Sequence, residues 1–199
     1  HGFGFRNLRS AFNTRYDELK MDKVFRLEWI AQSARLLGGE RAGSDKAKRD
    51  LRRVLSMLKA TLVDTDAASA REMIEARGVE FDFVESGWLL HLLPDILEAC
   101  AKMTGTCDYD DMVWMPVVTE LALEQFDLIL CDEAQDLNAV QMQLVLKSFA
   151  PGGRVFAVGD PRQAIYGFRG ADTQAMTHLR DLLQAVTLPL SITYRCPVS

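Results

Sequence analysis

The sequence lacks the features that mark membrane proteins, secreted disulfide-bonded proteins and zinc fingers. None of its apolar runs approaches the ~20 residues that span a bilayer, and its first residues contain no signal-peptide stretch. The four cysteines form no CxxC pair and the three histidines are scattered, so the chain shows neither a disulfide framework nor a zinc motif. We therefore expect a soluble, cytoplasmic protein with reduced thiols, whose natural N-terminus lies upstream of His1.

Glycine and proline are also sparse, with 13 and 6 residues among 199. A chain that is 48% hydrophobic and 26% charged has the composition of a globular protein, which excludes collagen-like and disordered polymers. The length suits one large domain or two small ones.

Charge is distributed unevenly along the chain. Residues 1–60 carry 14 Lys and Arg against 7 Asp and Glu, a balance of +7, and residues 61–199 have a balance of −12. A basic region of this kind is typical of a surface that faces a polyanion, but it is also found on simple solvated helices. Charge alone leaves both interpretations open.

Residues 14–105 have the periodicity of helices. Behind Ser44, a candidate N-cap, apolar residues recur at three- and four-residue spacing, which predicts an amphipathic helix. Its apolar positions are Leu51, Val54, Leu55, Leu58 and Leu62, and Arg49, Arg52, Arg53 and Lys59 form the predicted basic outer face. Further helices are predicted to end at Gly38 and at Gly78, and another covers 88–103, where Pro94 bends or splits it.

After Gly105 the pattern becomes that of an α/β protein. Apolar runs at 126–131 and 154–158 predict two strands, and a helix ending at Phe149 lies between them, closed by the Pro-Gly-Gly of 151–153. Such a unit builds a parallel sheet, whose strands are normally buried on both faces. Ligands of open α/β sheets bind beyond the carboxyl ends of the strands, so that edge is the predicted site.

An acidic pair, Asp132-Glu133, follows the first predicted strand directly. Two adjacent carboxylates in a crevice repel each other unless a cation is close, which favours a Mg²⁺ site of the kind found in nucleotide-hydrolysing proteins. The alternative is helix capping, with Asp136 or Asn138 at the start of the following helix.

The residues after both strands resemble a known family. Residues 132–136 read Asp-Glu-Ala-Gln-Asp, and 159–171 read Gly-Asp-Pro-Arg-Gln-Ala-Ile-Tyr-Gly-Phe-Arg-Gly-Ala. Together they resemble motifs II and III of the UvrD/Rep family of superfamily 1 DNA helicases. Residues 1–5 are similar to the His-Ser-Phe segment of the family, 108–112 to its Asp-Phe-Asp-Asp-Leu segment, and 190–195 to its Leu-x-x-Asn-Tyr-Arg motif IV.

The resemblance implies an α/β fold that is an incomplete RecA-like P-loop NTPase domain, a parallel sheet with flanking helices and an inserted all-helical subdomain. Residues 1–13 and 106–199 would belong to the RecA-like domain, and 14–105 to the helical accessory subdomain. No phosphate-binding loop is present, because the glycine-rich stretch 38–45 has Ser-Asp where Lys-Ser/Thr is required. We therefore expect an internal fragment of a larger ATPase.

The resemblance also implies a site for ATP and Mg²⁺. Asp132 would hold Mg²⁺, through water, and Glu133 would orient or activate the hydrolytic water. Gln163 would contact the γ-phosphate or that water, although it could also cap its loop. Arg195 resembles the γ-phosphate arginine of the family, and Tyr194 would pack on the nucleotide or on the hinge.

A second set of residues is expected to face single-stranded DNA. Tyr166 and Phe168 would stack on unpaired bases, and Phe168 stands where the family often has Trp. Arg169 would contact a DNA phosphate or form a salt bridge to the acidic motif, and the sequence does not choose between these. By resemblance, His1, Phe3 and the segment 108–111 lie on the DNA-facing edge.

The predicted function is that of an ATP-dependent DNA helicase or translocase that moves 3′ to 5′ on single-stranded DNA and unwinds duplex or junction DNA. The isolated fragment is expected to be inactive.

Asp110 and Asp111 are expected to orient basic groups or backbone donors instead of contacting phosphate. The alternatives are the helicase subunit of a helicase–nuclease complex and a non-catalytic DNA-binding relic; the extension over 165–171 disfavours a 5′ to 3′ relative.

Overall fold

The fold is described from a computed structural model for residues 1–39, 44–163 and 174–190. The α-helices in these ranges are α1 (Gly2–Phe12), α2 (Lys20–Phe25), α3 (Glu28–Gly38), α4 (Asp45–Thr61), α5 (Ala67–Ala76), α6 (Phe83–Ser86), α7 (Leu93–Lys102), α8 (Asp111–Val118), α9 (Ala139–Ser148) and α10 (Ala175–Leu183). The strands are β1 (Arg15–Tyr16), β2 (Thr106–Cys107), β3 (Phe126–Cys131) and β4 (Phe149–Ala157). Short 3-10 helices cover Gly87–Leu92, Ala134–Asp136 and Pro161–Gln163. The chain is thus a helix-rich α/β fold with short parallel sheets.

Helix α4 is the longest described helix of the helical region, residues 14–105. The Ser44 side chain accepts a hydrogen bond from the Ala47 N–H, as a helix N-cap does, and confirms the predicted start. The apolar stripe of α4 is buried in the main core, with Leu51, Val54, Leu55 and Leu58 all 2% exposed or less. The amphipathic pattern therefore places the helix correctly, because burial of these side chains is what stabilises it.

The predicted apolar helix over 88–103 is split, as Pro94 suggested. A 3-10 helix ends at Leu92, and α7 begins at Leu93 with Pro94 in its first turn. Proline is favoured there because the first N–H groups of a helix have no intrahelical partner. No described helix is long and apolar enough to cross a membrane.

The entry and exit of the helical region meet at a short parallel pair of strands. Strand β1 pairs with β2, and the Thr14 hydroxyl donates to the Thr104 carbonyl at 2.6 Å. Helix α1 packs on α8 so closely that a Cβ on Gly4 would lie 1.7 Å from the Met112 carbonyl oxygen. The α1–α8 packing ties residues 1–13 to the segment that follows residue 105, and the β1–β2 pair brings the two ends of the helical region together.

Strands β3 and β4 form the parallel pair that the sequence predicts, with α9 as the crossover. Leu128 pairs with Arg154, and Leu130 pairs with Phe156. The strand prediction is wrong at one boundary, because Phe149 was assigned to the helix but pairs with Phe126 and opens β4. The Pro-Gly-Gly of 151–153 lies within the bounds of β4 but is an irregularity of the strand: the register shifts there, and regular pairing resumes at Arg154.

The expectation that this sheet is buried on both faces is also wrong for the described residues. Leu128, Leu130, Phe156 and Val158 are 52–72% exposed. The sheet has two strands within the ranges that the structure describes, and no other layer there covers this face.

A buried ionic cluster, defined as Lys20, Lys59, Asp108 and Asp111, joins the helical region to α8. Asp111 is fully buried and lies 2.7 Å from Lys20 Nζ and 2.8 Å from Lys59 Nζ. Lys59 Nζ also pairs with Asp108 at 3.1 Å. Burial alone would lower the pKa of Lys59, but the Asp111 and Asp108 carboxylates raise it above its ordinary value.

The ionic cluster corrects one prediction and agrees with another. Lys59 was assigned to the basic outer face of α4, yet its side chain is 2% exposed because it turns inward to the two carboxylates. Asp111 orients lysines, as expected for the acidic pair at 110–111. Burial raises the pKa of Asp108, and Lys59 opposes that shift.

Candidate functional site

The acidic pair lies at the carboxyl end of β3, on an exposed turn. The backbone of Glu133 is in the left-handed region, with φ 50° and ψ 42°. Its N–H donates to Asp132 Oδ1 at 3.0 Å. A non-glycine residue in this conformation is uncommon and is often found at functional turns. The turn presents both carboxylates to solvent beyond the strand end.

Helix capping does not explain the acidic pair, because another residue caps α9. Asn138 accepts from the Gln141 N–H at 2.9 Å, and the Gln141 side chain accepts from the Asn138 N–H at 2.9 Å, which forms a capping box. Asp132 and Glu133 lie upstream of this cap and take no part in it. The capping interpretation therefore holds for Asn138 only.

The turns after β3 and β4 are held side by side. The Val158 N–H donates to the Cys131 carbonyl at 2.8 Å, and the Ala134 N–H donates to the Val158 carbonyl at 2.9 Å. These bonds continue the pairing of the two strands beyond their ends. The acidic turn and the Gly159-Asp160 turn therefore share one edge of the sheet, as the strand-end argument predicts.

Gln163 is placed by the second of these turns. It is exposed, and its Nε2 donates to Asp160 Oδ2 at 2.9 Å. The Gln163 side chain and the backbone N–H of Arg162 lower the pKa of Asp160 because both stabilise its carboxylate. Gln163 therefore faces solvent from the strand-end edge that carries Asp132 and Glu133.

Five of the residues predicted to bind nucleotide or DNA lie outside the described ranges. They are Tyr166, Phe168, Arg169, Tyr194 and Arg195.

The chemistry of the acidic turn suits Mg²⁺. Magnesium binds through one or two carboxylates, keeps several waters and takes further oxygens from substrate phosphates. Within the described ranges, no group of three or more His, Cys, Asp and Glu side chains could hold a metal ion. The turn offers two adjacent, exposed carboxylates, Asp132 and Glu133, which matches a mostly hydrated Mg²⁺ better than a caged structural ion.

His1 and Phe3, both predicted at the DNA-facing edge, have different surroundings. The His1 ring stacks on Tyr109, with centroids 3.7 Å apart and planes 22° apart, and Tyr109 is 57% exposed. Phe3 is half-buried and packs against Phe126, at a centroid distance of 5.5 Å. Tyr109 belongs to the segment 108–111 that the resemblance places on this edge, although the sequence assigns no role to its ring.

One feature missed by the sequence analysis is a basic cleft on the helical region, defined by Arg26, Arg35, Lys48 and Arg52. It encloses about 360 Å³ and includes the carboxylate of Asp22, which pairs with Arg52. Arg26 and Arg35 are exposed and form no ion pair with any side chain that the structure describes. The residues come from α2, α3 and α4 and from the turn after α2, so only the tertiary fold gathers them.

Comparison with known proteins agrees with the motif analysis. The UvrD/REP helicase N-terminal domain family matches residues 1–184. Over 118 residues the chain is 38% identical to an ATP-dependent helicase/nuclease subunit of Geobacillus thermodenitrificans, covering 56% of the chain and 9% of that protein. It is 34% identical over 107 residues to DNA helicase II of Escherichia coli, covering 49% and 15%. It is 39% identical over 98 residues to the RecBCD enzyme subunit RecB of Mycolicibacterium smegmatis, covering 42% and 8%. The matched segments thus span at most 15% of these relatives.

Proposed function

The chain belongs to the UvrD/REP helicase N-terminal domain family, and from this premise we propose that it is part of an ATP-dependent superfamily 1 DNA helicase. The protein would couple Mg-ATP hydrolysis to 3′ to 5′ movement on single-stranded DNA and to duplex unwinding. The observation that carries the proposal is the shared strand-end edge, from which Asp132, Glu133 and Gln163 reach solvent together.

In this proposal each residue of the nucleotide site has its own role. Asp132 holds Mg²⁺ through water, and the ion would neutralise charge on the phosphates. Glu133 orients or deprotonates the attacking water, and Gln163 contacts the γ-phosphate or that water. Arg195 would stabilise the charge that develops on the phosphoryl group, and Tyr194 would pack on the nucleotide.

The domain organisation is proposed in the same way. Residues 1–13 and 106–199 form an incomplete RecA-like domain, and 14–105 form its accessory helical subdomain. The contacts of α1 with α8 and of β1 with β2 support this division, because they close the helical region at its two ends. The limited share of the relatives that the chain spans supports the view that the phosphate-binding loop lies elsewhere in a longer polypeptide.

The residues of motif III are proposed to bind single-stranded DNA. Tyr166 and Phe168 would stack on bases, and Arg169 would contact a phosphate or the acidic turn. The exposed Tyr109 ring, stacked on His1, supports a DNA contact at that edge, because base stacking on aromatic faces needs no particular sequence.

The basic cleft is the proposed contact for the backbone of duplex or junction DNA. We expect the double substitution Arg26→Glu with Arg35→Glu to weaken duplex binding, because two phosphate contacts and their released counterions are lost. The slope of log K against log salt concentration should fall by about 2 in magnitude. Fluorescence anisotropy with a labelled hairpin at several salt concentrations measures both quantities.

A matched control makes the same charge change away from the cleft. Arg71→Glu with Lys102→Glu alters two exposed residues of α5 and α7 that do not line it. This control should have the same slope of log K against log salt concentration as the parent. Equal slopes for both double variants would show that the cleft does not bind DNA.

The proposed function is tested by ATP hydrolysis and strand displacement. A longer polypeptide that includes the phosphate-binding loop and the downstream ATPase domain should hydrolyse ATP in a DNA-stimulated manner and displace a strand only from substrates with a 3′ tail. The 199-residue chain alone should show neither activity, because it lacks the lysine loop that binds the β- and γ-phosphates. DNA-stimulated turnover by the short chain would contradict the fragment interpretation, and preference for a 5′ tail would contradict the polarity.

The helicase subunit of a helicase–nuclease complex is a second candidate, favoured by the names of two of the relatives above. Mg²⁺-dependent degradation of linear duplex DNA by the longer polypeptide would support it. A non-catalytic relic is less well supported, because the chain retains Asp132, Glu133, Gln163 and Arg195.

A further inference from the structure

A single buried amide, that of Gln135, connects the two turns of the strand-end edge. Gln135 is 4% exposed, and its Nε2 donates to Glu133 Oε2 at 2.8 Å. Its Oε1 accepts from the backbone N–H of Asp160 at 3.1 Å. Asp160 in turn accepts from Gln163 Nε2 at 2.9 Å. A continuous set of hydrogen bonds therefore runs from the Glu133 carboxylate to the Gln163 side chain.

The orientation of this amide is determined by its partners. A backbone N–H can only donate, so the amide oxygen must face Asp160. The NH₂ group then faces the carboxylate of Glu133, which can accept. Gln135 is thus the one side chain in this set that donates to the acidic turn while it accepts from the other turn.

The backbone of the second turn leaves no room for the amide to move towards it. A Cβ on Gly159 would lie 2.3 Å from Gln135 Oε1 and 3.1 Å from the backbone nitrogens of Ala134 and Gln135. The close approach depends on the missing side chain at Gly159. The amide is therefore held between the backbone of Gly159-Asp160 and the Glu133 carboxylate.

We propose that Gln135 is a positioning residue that fixes the Glu133 carboxylate relative to the turn carrying Gln163. This inference rests on the proposed function, in which Glu133 and Gln163 act on the same water and γ-phosphate. A side chain bonded to both turns limits their relative displacement. Small errors in such a geometry are costly, since a shift of about 1 Å in a reacting group can cost roughly 100-fold in rate.

The test compares two substitutions at Gln135 in the longer ATPase. Gln135→Leu removes all three hydrogen bonds of the side chain, including a longer one of 3.4 Å to Asp136 Oδ2. Gln135→Glu keeps an acceptor for the Asp160 N–H and, with its carboxyl ionised, loses the donor to Glu133. Both variants should lower the kcat of DNA-stimulated ATP hydrolysis by about 100-fold. The KM for ATP and the affinity for a fluorescent ATP analogue should stay close to those of the parent, because positioning acts on the chemical step. The thermal unfolding midpoint should fall in both variants, because Gln135→Leu leaves the Asp160 N–H without its acceptor and Gln135→Glu buries a carboxylate beside Glu133.

Two further variants make the result specific. Gln125→Glu introduces the same charge at an exposed glutamine that donates only to the Lys147 carbonyl, and it should keep the parent kcat. Gly159→Ala displaces the amide without changing Gln135, and it should lower kcat in the same way. The double variant Gln135→Leu with Gly159→Ala should have a kcat close to that of either single variant, since both substitutions break the same connection between the two turns.

The outcomes separate this inference from the proposed function. Normal kcat in Gln135→Glu with a loss in Gln135→Leu would overturn it, because Gln135 would then secure only the Asp160 turn. Loss of nucleotide affinity in step with kcat would also overturn it, by showing a purely structural role. If Glu133→Gln, measured beside them, retains full turnover, the catalytic role that the proposed function gives to Glu133 fails. If only that variant is inactive, the positioning inference fails alone.

Discussion

Glu133→Gln in the longer ATPase is expected to lower the kcat of DNA-stimulated ATP hydrolysis by about 10²- to 10⁴-fold, the contribution typical of a positioned general base. The amide keeps the size of the side chain but cannot take a proton from the attacking water. ATP binding should be retained, because the proposed Mg²⁺ ligand, Asp132, is unchanged. Steady-state hydrolysis and binding of a fluorescent ATP analogue measure the two effects separately.

The control for this variant is Glu124→Gln, which makes the same change at an exposed glutamate upstream of β3. Its kcat should equal that of the parent. Unchanged turnover in Glu133→Gln would remove Glu133 from the catalytic step. Loss of nucleotide affinity in that variant would instead indicate a role in binding ATP or Mg²⁺.

Asp111→Asn is expected to lower the free energy of unfolding by about 3–5 kcal/mol, because removing one partner of a buried ion pair leaves uncompensated buried charge. Asp111 is fully buried and faces both Lys20 and Lys59. After the substitution the two ammonium groups would have Asp108 as the one remaining carboxylate of the cluster. Urea unfolding followed by tryptophan fluorescence measures the change, and Trp114 lies beside the cluster, 5.5 Å from Lys59 Nζ.

The matched substitution is Glu98→Gln, which removes one charge from the exposed pair of Glu98 with Lys102. Exposed pairs contribute under about 1 kcal/mol, so this variant should unfold close to the parent midpoint. An equally small loss in Asp111→Asn would mean that the ionic cluster is hydrated in solution and does not join α2 and α4 to α8.

The elements that the sequence predicts well are those whose signals are local. The N-cap at Ser44 and the apolar stripe of α4 are read from residues within a few turns of each other. Strand β3 and the turn after it come from one apolar run followed by two acids. The error at Phe149 has the opposite origin, since pairing with Phe126, distant in sequence, draws it into β4.

By itself the sequence determined the family, the parallel β3–α9–β4 unit, and the candidate residues Asp132, Glu133 and Gln163, because spacing and residue type carry that information. The tertiary structure alone decided that Lys59 is buried and that Gln135 bonds to both turns. The tertiary structure alone also brings together the four residues of the basic cleft. The physical reason is that the direction of a long or amphipathic side chain depends on which partners the fold brings within hydrogen-bond range. Asp108 lies 49 residues from Lys59, and Asp160 lies 25 residues from Gln135, although Glu133 is only two residues from it. No local pattern encodes the distant partners.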